Sequence, residues 1–187
     1  MNVTLVLEAA LLLCAAIWIQ VGQIEMLQSF RFSKHLLLIG LLSGVGTASS
    51  GFIILGLNRL FHNAIKWMSS LSALVFREVA PLFADLKFFD IFLLSASSGF
   101  CEEVFFRGAM QSQIGLVGTS ILFGLFHCPS PRHLTYGLWA LAAGLFLGYL
   151  MMSTGSLWVP IIAHALSNFI VITVLRYFVK PLSKESG

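Results

Sequence analysis

Residues 95–107 read Ser95-Ala96-Ser97-Ser98-Gly99-Phe100-Cys101-Glu102-Glu103-Val104-Phe105-Phe106-Arg107, two carboxylates and a guanidinium set in an apolar run. Around this stretch, 58% of the 187 residues are hydrophobic and 10% are charged, where a typical soluble domain is about a quarter charged. That composition specifies a polytopic membrane protein: an all-α transmembrane helix bundle of about six segments, one of them short or broken, in a single integral-membrane domain, 1–187. A charged side chain at bilayer depth is costly, so an intramembrane Glu-Glu-x-x-x-Arg marks a functional site, and its partners are sought in the other apolar segments.

Those segments supply Glu8, Phe123-x-x-x-His127 and His164-x-x-x-Asn168. The first span covers about 3–22. Its one charge, Glu8, lies close enough to the helix end that snorkelling to the interface is the favoured reading. The second, about 35–57, carries Gly40, Gly44, Gly46, Ser49, Ser50 and Gly51, small residues suited to close helix packing. Residues 58–90 mix Arg59, Lys66, Arg77, Glu78, Asp85 and Lys87 with an apolar interval too short to cross. An interfacial amphipathic helix is expected there, with a tilted or re-entrant segment as the alternative.

The third span, about 88–110, holds the Glu pair. At 100° per residue the two carboxylates diverge and take different tasks. Glu103 and Arg107, four residues apart, can pair on one face. Glu102 points elsewhere, as a desolvated carboxylate available as a general base. Residues 111–118 read as a short turn. The next apolar run, 119–128, stops at Pro129 and is too short to span, so it is expected to end at a protein-lined cavity with His127 at its mouth. A clean span follows over 134–153, with Ala140, Gly144 and Gly148 at four-residue spacing. The last covers 157–178 and places His164 and Asn168 on one face.

The net charge of +3 is scattered between apolar runs, so it reads as topology information and not as a nucleic-acid face. Arg59, Lys66, Arg77, Lys87, Arg132, Arg176, Lys180 and Lys184 fall on one side and Arg31 and Lys34 on the other, which predicts both termini in the cytoplasm. Cys14, Cys101 and Cys128 have no metal or disulfide spacing and read as packing residues. A thiol nucleophile paired with His127 is a minor alternative.

Glu102, Glu103, His127, His164 and Asn168 supply a base for water, an imidazole to hold it and donors for an oxyanion. Metal binding by His127, His164 and a Glu is the competing use of the same groups, although His-Glu-x-x-His spacing is missing. A buried structural network in a membrane scaffold or immunity protein, and a proton relay, are the readings without proteolysis. The chain shows no internal repeat of the kind many transporters have.

The three motifs resemble those of the CAAX protease and bacteriocin-processing (CPBP, or Abi) intramembrane proteases. Glu-Glu-x-x-x-Arg stands as Glu102-Glu103-Val104-Phe105-Phe106-Arg107, Phe-x-x-x-His as Phe123-Gly124-Leu125-Phe126-His127, and His-x-x-x-Asn as His164-Ala165-Leu166-Ser167-Asn168. The resemblance covers about residues 94–178. It implies proteolysis at or within the membrane by a glutamate-type mechanism. By similarity Glu102 is the base, Glu103 supports it with Arg107, His127 shares the water, and His164 and Asn168 stabilise the oxyanion, with Phe123 in support. No cofactor is expected, zinc being the alternative. The substrate implied is a membrane-anchored protein or peptide: a C-terminal sorting tail, a bacteriocin leader or a CAAX-like sequence. The chain is shorter than the family's prenyl-protein proteases, which favours the bacterial substrates, in a bacterial cytoplasmic membrane.

Overall fold

The computed structural model describes residues 2–62 and 64–178. Among these residues every regular element is helical. Lys180 and Lys184 of the basic tail lie outside the described residues. Helix α1 is Asn2–Val21 and α2 is Lys34–Leu60, with the Ser33 side chain accepting from the Leu36 N–H at the α2 N-terminus. Helix α3, Lys66–Leu74, continues through a π-helical stretch, Val75–Val79, into Ala80–Leu82. Helix α4, Phe88–Glu103, runs through a second π-helical stretch, Val104–Met110, into α5, Gln111–Phe126. Helices α6, Leu134–Thr154, and α7, Trp158–Tyr177, complete the bundle.

Five stretches are long and apolar enough to cross a membrane: Val3–Val21, Lys34–Leu60, Phe88–Phe126, Pro131–Thr154 and Trp158–Tyr177. The protein is an integral membrane protein. The third stretch has 39 residues, about 58 Å if straight and far beyond a hydrocarbon core of about 30 Å. Gly115 resolves the mismatch. Its φ of 74° and ψ of 174° interrupt the helix, a backbone conformation that glycine adopts without steric penalty. The chain turns back there, since Phe106 on one arm meets Phe123 and Phe126 on the other at centroid distances of 4.9 and 5.6 Å. Residues 111–118 are thus not the turn that composition suggested. They are helical on both sides of a one-residue break.

Small residues set how closely the helices approach. Gly40 and Gly44 of α2 lie against Val159, Ile162 and Ala163 of α7, and Gly99 of α4 lies against the backbone of Ala165. Gly124 and Gly137 bring α5 against α6. Gly46, grouped with Gly40 and Gly44 on sequence, has nothing within 4 Å of where a Cβ would stand. It faces away from the packed seam.

Two sets of contacts define the ends of the bundle. At one, Ser156 Oγ donates to the Arg31 carbonyl at 2.6 Å and the Leu157 N–H to the Ser29 carbonyl at 2.7 Å, joining the α1–α2 connector to the α6–α7 turn. At the other, His133 and Glu78 approach to 3.2 Å and Arg176 Nε donates to the Leu86 carbonyl at 3.1 Å. Helix α3 therefore sits at this second end. Its buried Met68, Leu71 and Leu74 turn toward the protein, and Ser69 Oγ donates to Asn58 Oδ1 of α2 at 3.0 Å.

Candidate active site

Helix α5 counts about eleven residues, roughly 17 Å, from the Gly115 break to its end, so it stops beside the C-terminal end of α4, at the level of Glu102. His127 caps it there. The ring Nδ1 lies 2.8 Å from the Phe123 carbonyl. A carbonyl only accepts, so Nδ1 carries the hydrogen, and in the neutral ring Nε2 presents a lone pair. That nitrogen stands 3.8 Å from Glu102 Oε2. The gap is too long for a hydrogen bond, but one water can bond to both atoms at once. The other carboxylate oxygen, Oε1, accepts from Ser98 Oγ at 2.9 Å, and Ser98 Oγ accepts from Asn168 Nδ2 at 3.2 Å. One turn of α4 and one residue of α7 thus orient Glu102.

Glu103 faces a different neighbourhood, as a 100° rotation requires. Its Oε1 accepts from Arg107 Nη1 at 2.9 Å and from His164 Nδ1 at 2.8 Å. Both members of the Glu103–Arg107 pair are fully buried. Beyond the pair itself, Arg107 Nη2 donates to the Gly144 carbonyl at 3.0 Å, while Arg107 Nε and Glu103 Oε2 make no hydrogen bond among the described residues. Glycine at 144 leaves room for this, because a Cβ there would come within 3.3 Å of Arg107 Nη2. The guanidinium also lies 4.4 Å from the Phe123 ring centroid, in cation–π range. With Nδ1 engaged, His164 has Nε2 available to the cavity.

These groups surround a cavity of about 590 Å³ whose lining includes Glu8, Ser98, Glu102, Phe123, His127, Tyr136, His164 and Asn168. Apolar residues of α3, of the π-helical stretch that follows it and of 82–86, among them Leu71, Val79 and Phe83, line it as well. Glu103 and Arg107 do not line it. Of the residues singled out on sequence, the fold therefore brings Glu102, His127, His164 and Asn168 to one cavity and sets Glu103 and Arg107 behind His164.

Cys128 does not supply the thiol alternative: its Sγ donates to the Ser130 carbonyl at 3.4 Å, while His127 is directed at Phe123 and Glu102. Among the described residues, no three His, Cys, Asp or Glu side chains converge as metal ligands.

Two cavity residues, Ser98 and Tyr136, have no site expectation from sequence, and for a third, Glu8, the snorkelling expectation is corrected. Ser98 stands four residues before Glu102, a helical spacing that is the signal by which sequence could have found it. Tyr136, whose ring lies 5.9 Å from that of His127, carried no signal. Glu8 is 8% exposed and directed inward, so it does not snorkel.

Residues 84–170 match the family described as Type II CAAX prenyl endopeptidase Rce1-like, and this stretch of the chain is a domain of that family. It contains Glu102, Glu103, Arg107, Phe123, His127, His164 and Asn168. The uncharacterized protein YpbD of Bacillus subtilis (strain 168) is 28% identical over 96 residues, 51% of each chain. The present chain thus spans about half the length of that curated relative. No solved structure matches it.

Proposed function

We propose that this chain, through its Rce1-like domain, is an intramembrane endopeptidase of the glutamate type that hydrolyses a peptide bond of a membrane-anchored protein or peptide. The observation that carries the reading is Glu102 Oε2 facing the lone pair of His127 Nε2 across 3.8 Å in a cavity walled by membrane helices. A water between them gives its proton to Glu102 while its oxygen attacks the scissile carbonyl carbon. The oxyanion that forms is met by His164 Nε2–H, when that ring carries both protons, and by the second Nδ2 hydrogen of Asn168. Glu103 and Arg107 are positioning residues that act through His164. Metal plays no part in this reading.

The substrate is a segment anchored by one apolar helix: a sorting tail, a bacteriocin leader or a CAAX-like end. The positive-inside bias of Arg59, Lys66, Arg77, Lys87, Arg132 and Arg176 supports a cytoplasmic location for the end of the bundle that carries α3. The cytoplasmic membrane of a bacterium is the setting this reading assumes.

Purified protein in liposomes, offered a library of peptides each anchored by one apolar helix, tests the proposal. Cleavage by the wild type and its loss in a folded Glu102→Gln variant are expected. If Glu102→Gln cleaves as the wild type does, the glutamate mechanism is wrong. If Glu102→Ala lowers abundance and the wild type cleaves nothing, the network is a structural scaffold.

A further inference from the structure

Glu8 belongs to the cavity but to none of the three motifs, and it lies outside the family-matched residues. Helix α1 packs on α4, and Val21, Gly22 and Gln113 line one groove at the same end of the bundle. Glu8 is thirteen residues from Val21 and Glu102 thirteen from Gly115, so both stand about 20 Å from that end, at one depth. Glu8, Glu102 and His164 line the same cavity.

Glu8 is 8% exposed, and its Oε2 makes no hydrogen bond to a described residue. Burying a carboxyl with an open oxygen is costly, and α1 is otherwise rich in leucine, which would pack at no such cost. Packing therefore does not account for it. Two carboxyls in one apolar cavity resist ionising together. Ser98 donates a hydrogen bond that favours a carboxylate at Glu102, and among the described residues no donor reaches Glu8 Oε2.

We propose that Glu8 is a further catalytic residue, the general acid that protonates the leaving amide nitrogen. The inference rests on the proteolytic reading above, with Glu102 as base. The steps balance as follows. Water gives one proton to Glu102, and its oxygen bonds to the carbonyl carbon, forming the tetrahedral oxyanion. When that oxyanion collapses, the C–N bond breaks and its electron pair takes the proton of the Glu8 carboxyl, releasing an amine and a carboxylic acid. The proton on Glu102 then returns through water to Glu8, restoring both groups.

An amide needs such an acid, and an ester with a p-nitrophenolate leaving group does not. The test compares an anchored peptide that the wild type cleaves with the p-nitrophenyl ester of the same acyl residue. Glu8→Gln is expected to slow amide cleavage about 10²–10⁴-fold while ester hydrolysis stays within about threefold of wild type. Glu102→Gln is expected to lose both. Glu8→Met, an apolar replacement that a membrane helix accepts, should show the same split and keeps the test decisive if Glu8→Gln accumulates poorly. Equal loss on both substrates, or undiminished amide cleavage, overturns the role of Glu8 while leaving Glu102 as base. A wild type that cleaves neither substrate overturns the proteolytic reading and this one with it.

Discussion

His127 Nε2 stands 3.8 Å from Glu102 Oε2 while His127 Nδ1 is held by the Phe123 carbonyl at 2.8 Å. The backbone bond fixes the tautomer and aims the lone pair, so the imidazole is useful only while that bond is made. His127→Ala is therefore expected to lower the rate of peptide cleavage by about 10²-fold or more, with little change in stability because the ring is a quarter exposed. Initial rates on an anchored peptide, set beside the melting temperature in detergent, check both halves.

Glu103 and Arg107 give the opposite expectation. Removing one partner of a fully buried ion pair leaves the other uncompensated, at a cost of about 3–5 kcal/mol. Arg107→Ala should therefore lower both abundance and melting temperature. Glu103→Gln should weaken the hold on His164 as well. The double variant Glu103→Gln, Arg107→Met removes both charges and is expected to regain most of the stability without the activity. A thermal-unfolding series with parallel rate measurements separates the two effects. Recovery of activity in the double variant would show that Glu103 does not work through His164.

The architecture was legible because its signals are local. Apolar runs gave the spans, Gly40 and Gly44 marked a real seam, and the motif spacings brought Glu102, His127, His164 and Asn168 to one cavity. What escaped depends on geometry that a one-dimensional pattern does not carry. Gly115 and Gly118 look alike in sequence, yet only the positive φ at Gly115 breaks the helix. Glu8 is 94 positions from Glu102, and nothing along the chain says whether α1 turns that carboxyl toward lipid or toward the cavity. Ser98 differs again. Its four-residue distance from Glu102 predicts the hydrogen bond, but an apolar helix with several serines makes packing the readier interpretation.

The seam between α4 and α7 controls the site, because Ser98–Asn168 and Glu103–His164 both cross it. A Cβ on Gly99 would come within 2.7 Å of the Ala165 backbone nitrogen, and backbone cannot swing aside as a side-chain tip can. Gly99→Ala is therefore expected to destabilise by about 1–3 kcal/mol and to lower cleavage by separating both cross-seam pairs. Gly46→Ala is the matched control. With open space around it, the substitution should be neutral or raise stability by about 0.5–1 kcal/mol through helix propensity. Melting temperatures and rates of the two variants decide this, and equal behaviour would mean that the seam does not set the site geometry.

Metal dependence is open to direct measurement, and the donor set states the expectation. His164 Nδ1 is engaged by Glu103 and His127 Nδ1 by the Phe123 carbonyl, which leaves one nitrogen from each ring and the Glu102 carboxylate as the zinc set to be tested. Structural and catalytic zinc sites take at least three protein ligands at about 2.0–2.3 Å, and no three ligand-type side chains converge among the described residues. Cleavage by the purified protein is therefore expected to be unchanged, within about twofold, after prolonged incubation with a strong chelator, since a zinc enzyme would lose its Lewis acid with the ion. Loss of activity on chelation, with recovery on adding zinc back, would make His127 and His164 ligands and move the activation of water from Glu102 to the metal.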